Sequence, residues 1–167
     1  NFYNLQPCCG SCNKRKSAQD LPYSLYYEDG EPHPSPLHFA ISPQDVIAFQ
    51  TKGKCRGIKA YLCDDEKPGQ SVVAKKDGTL AERFNFIFDI DKIYAEHDDE
   101  VEELLWRNRI YTKGIVDAAN QQFADLDIEG FDFDRYILGT YAKKDEALKR
   151  PLTVMKQDVW EQIMKVE

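Results

Sequence analysis

The residues of this chain best suited to chemistry are packed into one short stretch, Asn4-Leu-Gln-Pro-Cys-Cys-Gly-Ser-Cys-Asn-Lys-Arg-Lys16. Cys9 and Cys12 stand in a C-x-x-C spacing. Such a turn lets two thiolates converge on one ion, while backbone amides around Gly10 and Ser11 are placed to donate to the sulfurs. One such knuckle is half of a structural zinc site; the plain alternative is a pair of thiols in a turn. Asn13 follows at once. Its amide oxygen suits a hard cation such as Mg²⁺ or Mn²⁺, and its side chain equally suits a helix N-cap. Lys14, Arg15 and Lys16 come next, a group able to hold a phosphate backbone without reading sequence.

Other candidates take blander roles. Cys8 reads as a packing residue. Cys55 and Cys63 are too far apart for a knuckle and read as sheet residues, the alternative being that they complete a four-cysteine site. The basic run Lys52–Lys59 reads as a hairpin tip, either solvated or touching phosphate. Asp89, Asp91 and the run Asp98–Glu103 read as helix starts and solvated faces rather than a cation site. His97 reads as a satisfied structural histidine, and Arg150 and Lys156 as packing or pairing residues. Glycine-rich nucleotide loops, nucleophile elbows and zinc-protease helices are absent from the sequence.

The elements that must position these groups follow from composition and periodicity. At 167 residues, with a mean hydropathy of -0.60 and 42% hydrophobic residues, the chain is expected to form one globular domain with a real core. Its apolar runs are far too short for a membrane span. The five cysteines, three of them clustered, suit metal better than a disulfide framework, which implies a reducing, cytoplasmic setting. The net charge of -7 argues against bulk electrostatic coating of nucleic acid. The acidic excess lies in residues 84–134, so a phosphate-binding surface must lie elsewhere.

Three segments are expected. Residues 1–20 are loop-like and then form a short polar helix near Cys12. Residues 21–78 run extended through a Pro- and Tyr-rich stretch and then into a small antiparallel sheet, from the apolar runs Leu37–Ile41, Val46–Phe49, Ile58–Cys63 and Ser71–Ala74. Turns are expected at Lys52–Gly57, Asp64–Gly69 and Asp77–Gly78, and Ser42, Pro43 and Asp45 could instead start a short helix. Residues 79–167 have helical period and pack with the sheet as one domain. Here a single helix is expected from about Asp98 to Phe123, its stripe including Tyr111 and Ile115. A second stripe, Leu152, Met155, Val159, Ile163 and Val166, is opened by Pro151. The predicted class is α+β.

The string Asn-Leu-Gln-Pro, then Cys-x-x-Cys-Asn and a basic tail, resembles the second half of the HNH endonuclease motif, a ββα-metal finger whose zinc-bearing form is held by two C-x-x-C knuckles. The resemblance implies a partial finger at the N-terminus. Cys9 and Cys12 would be the second zinc knuckle, Asn4 would brace the loop, and Asn13 would be the helix-borne ligand of the catalytic Mg²⁺ or Mn²⁺. The implied activity is hydrolysis of DNA phosphodiesters. Ile93–His97, Ile110-Tyr111, Ile137–Tyr141 and Arg150–Asp158 look like the C-terminal region of a bacterial HNH branch found in defence systems, which implies a partner subunit such as an ATPase. His33, His38 and His97 all follow the knuckle, so none matches the family's base in order. The base, its acidic neighbour and the first knuckle are expected upstream of Asn1, leaving this sequence a truncated, inactive back half. The rival expectation is a non-catalytic zinc-knuckle module that binds nucleic acid or protein.

Overall fold

The computed structural model describes residues 10–17, 19–22, 37–53, 57–64, 67–125 and 133–165. The chain is α+β, with eight α-helices and one three-stranded antiparallel sheet among the described residues. Strands β1 (His38–Ala40), β2 (Tyr61–Asp64) and β3 (Lys67–Ser71) lie in the order β1-β2-β3. Phe39 faces Leu62 across β1 and β2, and both are buried in the core. Each such side chain contributes about 1.5–3 kcal/mol by leaving water.

Helix α1 is Gly10–Lys16 and α2 is Pro43–Lys52. The run Val46–Phe49, expected to be sheet, lies in α2. Pro43 in its first turn and the left-handed Gly53 at its end (φ 65°) delimit it, and the Gly53 N–H closes on Phe49 O at 2.7 Å. The run Lys52–Lys59, expected as a hairpin tip, begins at the end of α2 and precedes β2, and its residues 54–56 lie outside the described residues. In the third strand, β3 takes up Lys67–Ser71, part of it expected as turn. Val73 and Ala74, expected as strand, are exposed beyond it. The β2–β3 register shifts between Cys63 and Asp64.

Helices α3 (Leu80–Phe88) and α4 (Ile90–Ala95) meet at Asp89, whose backbone is left-handed (φ 54°). A capping box starts α3: the Thr79 hydroxyl accepts from the Glu82 N–H, and the Glu82 carboxylate accepts from the Thr79 N–H at 2.9 Å. Asp91 is not a solvated helix start. Its Oδ1 accepts from the Leu62 N–H at 3.0 Å and its Oδ2 from Asn85 Nδ2 at 2.7 Å, while the Asp91 N–H donates to Asn85 Oδ1 at 3.0 Å. This exchange ties the α3–α4 corner to the central strand.

The helix expected over Asp98–Phe123 is two helices, α5 (Asp98–Ile110) and α6 (Lys113–Asp125). The break falls at Tyr111 and Thr112, where Tyr111 turns its ring edge-on to Phe133 (5.7 Å) and Thr112 O accepts from the Ile115 and Val116 N–H groups to start α6. The restart rotates the stripe: Val116 is buried, and Ile115, expected inside, is exposed. Helix α7 (Phe133–Leu138), a 3-10 turn over Lys144–Lys149 and α8 (Thr153–Lys165) complete the chain. Met155, Val159 and Ile163 of α8 are fully buried, as their spacing predicts; Val166 lies outside the described residues. One apolar cluster draws on β1, β2, α2, α3, α5, α6, α7 and α8.

Helix α8 also closes the sheet. Val72 N–H donates to Leu62 O at 2.9 Å, so the peptide groups of Leu62 point toward β3 and those of Phe39 point outward from the β1 edge. There the Phe39 N–H donates to Asp158 Oδ2 (3.0 Å), the Ile41 N–H donates to Gln162 Oε1 (3.1 Å), and Gln162 Nε2 donates to Phe39 O (2.8 Å). Two residues four apart on one helix thus stand in for a neighbouring strand.

Asp91→Ala strands the buried Leu62 N–H and breaks the exchange with Asn85. It is expected to cost about 2 kcal/mol, or about 4–8 °C in Tm for a chain of this size, read by thermal unfolding. An unchanged Tm would contradict the role assigned to this carboxylate.

Candidate functional site

Helix α1 is built entirely of small and polar residues and buries none of them. Its basic residues, Lys14, Arg15 and Lys16, fill the last turn, where positive charge complements the helix dipole. The helix ends at Ser17, which is left-handed (φ 49°) and donates its N–H to Asn13 O at 3.0 Å. Helix α1 lies against α3. Arg15 Nη1 donates to Phe88 O at 3.0 Å and to Asp89 Oδ2 at 2.8 Å, so the guanidinium sits on the carbonyl end of α3 and on the carboxylate that follows it. The side chains of Arg15 and Asp89 are 47% and 37% exposed. Solvent screening therefore limits the pair to about 0.2–1 kcal/mol.

Of the residues predicted to act, Asn4 and Cys9 lie outside the described residues, as do Cys8 and Cys55. The partial ββα finger is expected on residues 1–20, of which 1–9 and 18 lie outside the described residues. Asn13 is exposed in the middle of α1, so it does not serve as the N-cap. Cys12 is half-buried, Lys14 exposed and Lys16 half-buried. Adjacent helical residues point about 100° apart, so Cys12 and Asn13 leave α1 in different directions. Among the described residues no three His, Cys, Asp or Glu side chains are grouped to hold a metal ion.

The other candidates resolve locally. Tyr94 meets His97 edge-on at 6.4 Å. Lys156 pairs with Glu100 at 2.6 Å, joining α8 to the start of α5 with only 13% of the lysine side chain exposed. Arg150 reaches Gly139 O at 3.5 Å. Asp89 faces Lys92 at 3.6 Å as well as Arg15.

A second constellation has no sequence motif. An open cleft of about 500 Å³ runs along the seam between α8 and the β1–β2 ladder, and His38, Tyr61, Cys63, Asp158 and Lys144 are among its lining residues. His38 and Cys63 are register partners. His38 Nδ1 lies 3.6 Å from Asp158 Oδ2, the same oxygen that receives the Phe39 N–H. The Asp158 side chain is only 11% exposed. The Tyr61 hydroxyl donates to Gly69 O at 3.1 Å; burial, and secondarily the adjacent Cys63, push that phenol above its ordinary range. Lys144 pairs with Glu161 at 2.9 Å, and that hydrogen bond raises its pKa against the opposing effect of burial. These residues are far apart in the chain, so the only sequence signal was the ordinary pairing of two short strands.

Compared with protein-family models, with curated proteins and with solved structures, the chain matches none. Among the described residues no helix is long and apolar enough to cross a membrane.

Arg15→Ala or Asp89→Asn is expected to loosen α1 while leaving the core intact. Hydrogen exchange should quicken by about threefold or more over residues 13–17, with α5 and α8 unchanged. Unchanged exchange over residues 13–17 would show that the pair does not hold the helix.

Proposed function

We propose that the chain acts as part of an HNH-type endonuclease, a metal-dependent hydrolase of DNA phosphodiesters working in the cytoplasm. The observation that carries this reading is the surface helix α1: it buries nothing, yet it begins within the C-x-x-C spacing, contains Cys12 and presents Asn13 and Lys14 to solvent. A helix with no core to fill owes its residue choice to what it meets outside.

In this reading Cys9 and Cys12 hold half of a structural zinc, and Asn13 ligates Mg²⁺ or Mn²⁺, which would supply charge stabilisation for the phosphate and the departing oxygen. Lys14 and Lys16 contact the DNA backbone. Arg15 contributes less directly, because its guanidinium already lies on Phe88 O and Asp89; it positions α1. A general base is also required, and the family's order assigns it to none of His33, His38 and His97. A partner subunit such as an ATPase belongs to the same proposal.

The tether of Arg15 favours a second reading, a non-catalytic zinc-knuckle module whose helix is a docking surface for nucleic acid or protein. The protein expressed from its full reading frame separates the two. Stoichiometric zinc together with Mn²⁺-dependent plasmid cleavage, lost by at least about a hundredfold in Asn13→Ala, is the expected result. Zinc and DNA binding without cleavage would leave the binding module, and neither zinc nor cleavage would remove both readings.

A further inference from the structure

From the cleft between α8 and the β1–β2 ladder we infer that Cys63, His38 and Asp158 form a nucleophilic thiol site that takes up an acyl group from an activated ester. The proposal is independent of α1 and of the nuclease reading.

Three observations meet there. First, pairing places the groups. The peptide groups of Phe39 and Leu62 point away from each other, so the flanking partners His38 and Cys63 are a hydrogen-bonded pair of the ladder, with Cα atoms about 5.5 Å apart and side chains on the same face. Second, a carboxylate stands behind the imidazole. Asp158 Oδ2 lies 3.6 Å from His38 Nδ1, within ion-pair range, and is itself held by the Phe39 N–H at 3.0 Å. Its position is therefore set by backbone. That arrangement orients the ring, and in the proposed site Nε2 is the nitrogen that takes the thiol proton. Third, the group has space in front of it. Both Cys63 and His38 line the cleft, whose volume of about 500 Å³ suits a small ligand.

The chemistry is that of a base-activated nucleophile. The Cys63 proton passes to His38 Nε2. The sulfur bonds to the carbonyl carbon, the bond from that carbon to the ester oxygen breaks, and the alkoxide or phenolate leaves with the electron pair. The imidazolium then gives its proton to the leaving oxygen or to solvent, and Cys63 carries a thioester. Asp158 is a positioning residue.

The charged and titratable groups around the pair are Tyr61 and Asp64 on β2, Asp158, Glu161 and Lys165 on α8, and Lys144 on the 3-10 turn. Asp64 accepts from the Thr79 hydroxyl and Lys144 pairs with Glu161, so both charges are partly satisfied.

The probe is 4-nitrophenyl acetate, with acetylated residues located and timed by peptide mass spectrometry at pH 6.5 and across a pH series. Cys63 is expected to acetylate at least about tenfold faster than Cys12 at that pH, because the neighbouring base takes the thiol proton as the sulfur attacks. His38→Gln is expected to lower the Cys63 rate to the Cys12 level. In Asp158→Asn, which keeps an oxygen for the Phe39 N–H, the midpoint of the Cys63 rate–pH curve should move upward, since the charge supporting the imidazolium is gone. The wild-type comparison needs no folded variant. Acetylation of Cys63 no faster than Cys12, or a Cys63 rate that His38→Gln leaves unchanged in a folded protein, would overturn the assignment. An unmoved pH midpoint in folded Asp158→Asn would overturn the part given to Asp158.

Discussion

The exposed edge of β1 is the constraint on which the arrangement turns. A three-stranded sheet has two edges, and an edge whose N–H and C=O groups point into a protein layer must find partners there. Helix α8 supplies them with Asp158 and Gln162, one carboxylate and one carboxamide four residues apart, so a helix takes the place of a fourth strand. The same helix buries Met155, Val159 and Ile163 on the adjoining face. Its two faces are therefore fixed together: rotating α8 to improve the apolar packing would strip the hydrogen bonds from β1. The cleft with His38 and Cys63 is a product of this seam, because Asp158 serves the strand backbone and the imidazole with one oxygen.

The central strand has a corresponding tie on its other flank. After the register shift beyond Cys63, β3 does not meet the Leu62 N–H, and Asp91 does. Asn85 holds Asp91 by donating to it and accepting from it, and it reaches Val72 O at 3.4 Å. A half-buried carboxylate is tolerated here because each oxygen has a donor. The left-handed Asp89 between α3 and α4 is what turns Asp91 toward the sheet, and its own carboxylate faces outward to Arg15. One tight corner thus fixes the inner strand and carries the outer helix α1.

Helix α1 is small and polar throughout and, like α4, buries no residue. Its Arg15 bonds to Phe88 O and Asp89, whereas α5 and α8 are joined by core packing and by the largely buried Lys156. A weakly held polar helix beside the C-x-x-C spacing is where a metal or a phosphate backbone could alter structure at small energetic cost, since screened ion pairs exchange partners readily.

Short-range rules explain what sequence alone determined. The Pro-led start of α2, the period of α8, the polar helix near Cys12 and the α+β class all depend on neighbours within a turn or a strand, and the structure carries them. Where a local pattern was ambiguous, tertiary contacts decided. Val46–Phe49 became helix, and the long helical stripe broke at Tyr111 because that ring packs on Phe133 and the stripe restarts at Val116. Asp91 looked like a solvated helix start, since nothing in the sequence says that a strand N–H will lie opposite it. The chemistry divided in the same way. The Cys9–Lys16 candidates are adjacent in the chain and so visible as a group in the sequence, whereas His38, Cys63 and Asp158 are brought together only by the strand register and the seat of α8. Sequence encodes spacing along the chain; proximity between distant residues appears only when the free energy of the whole core selects one packing.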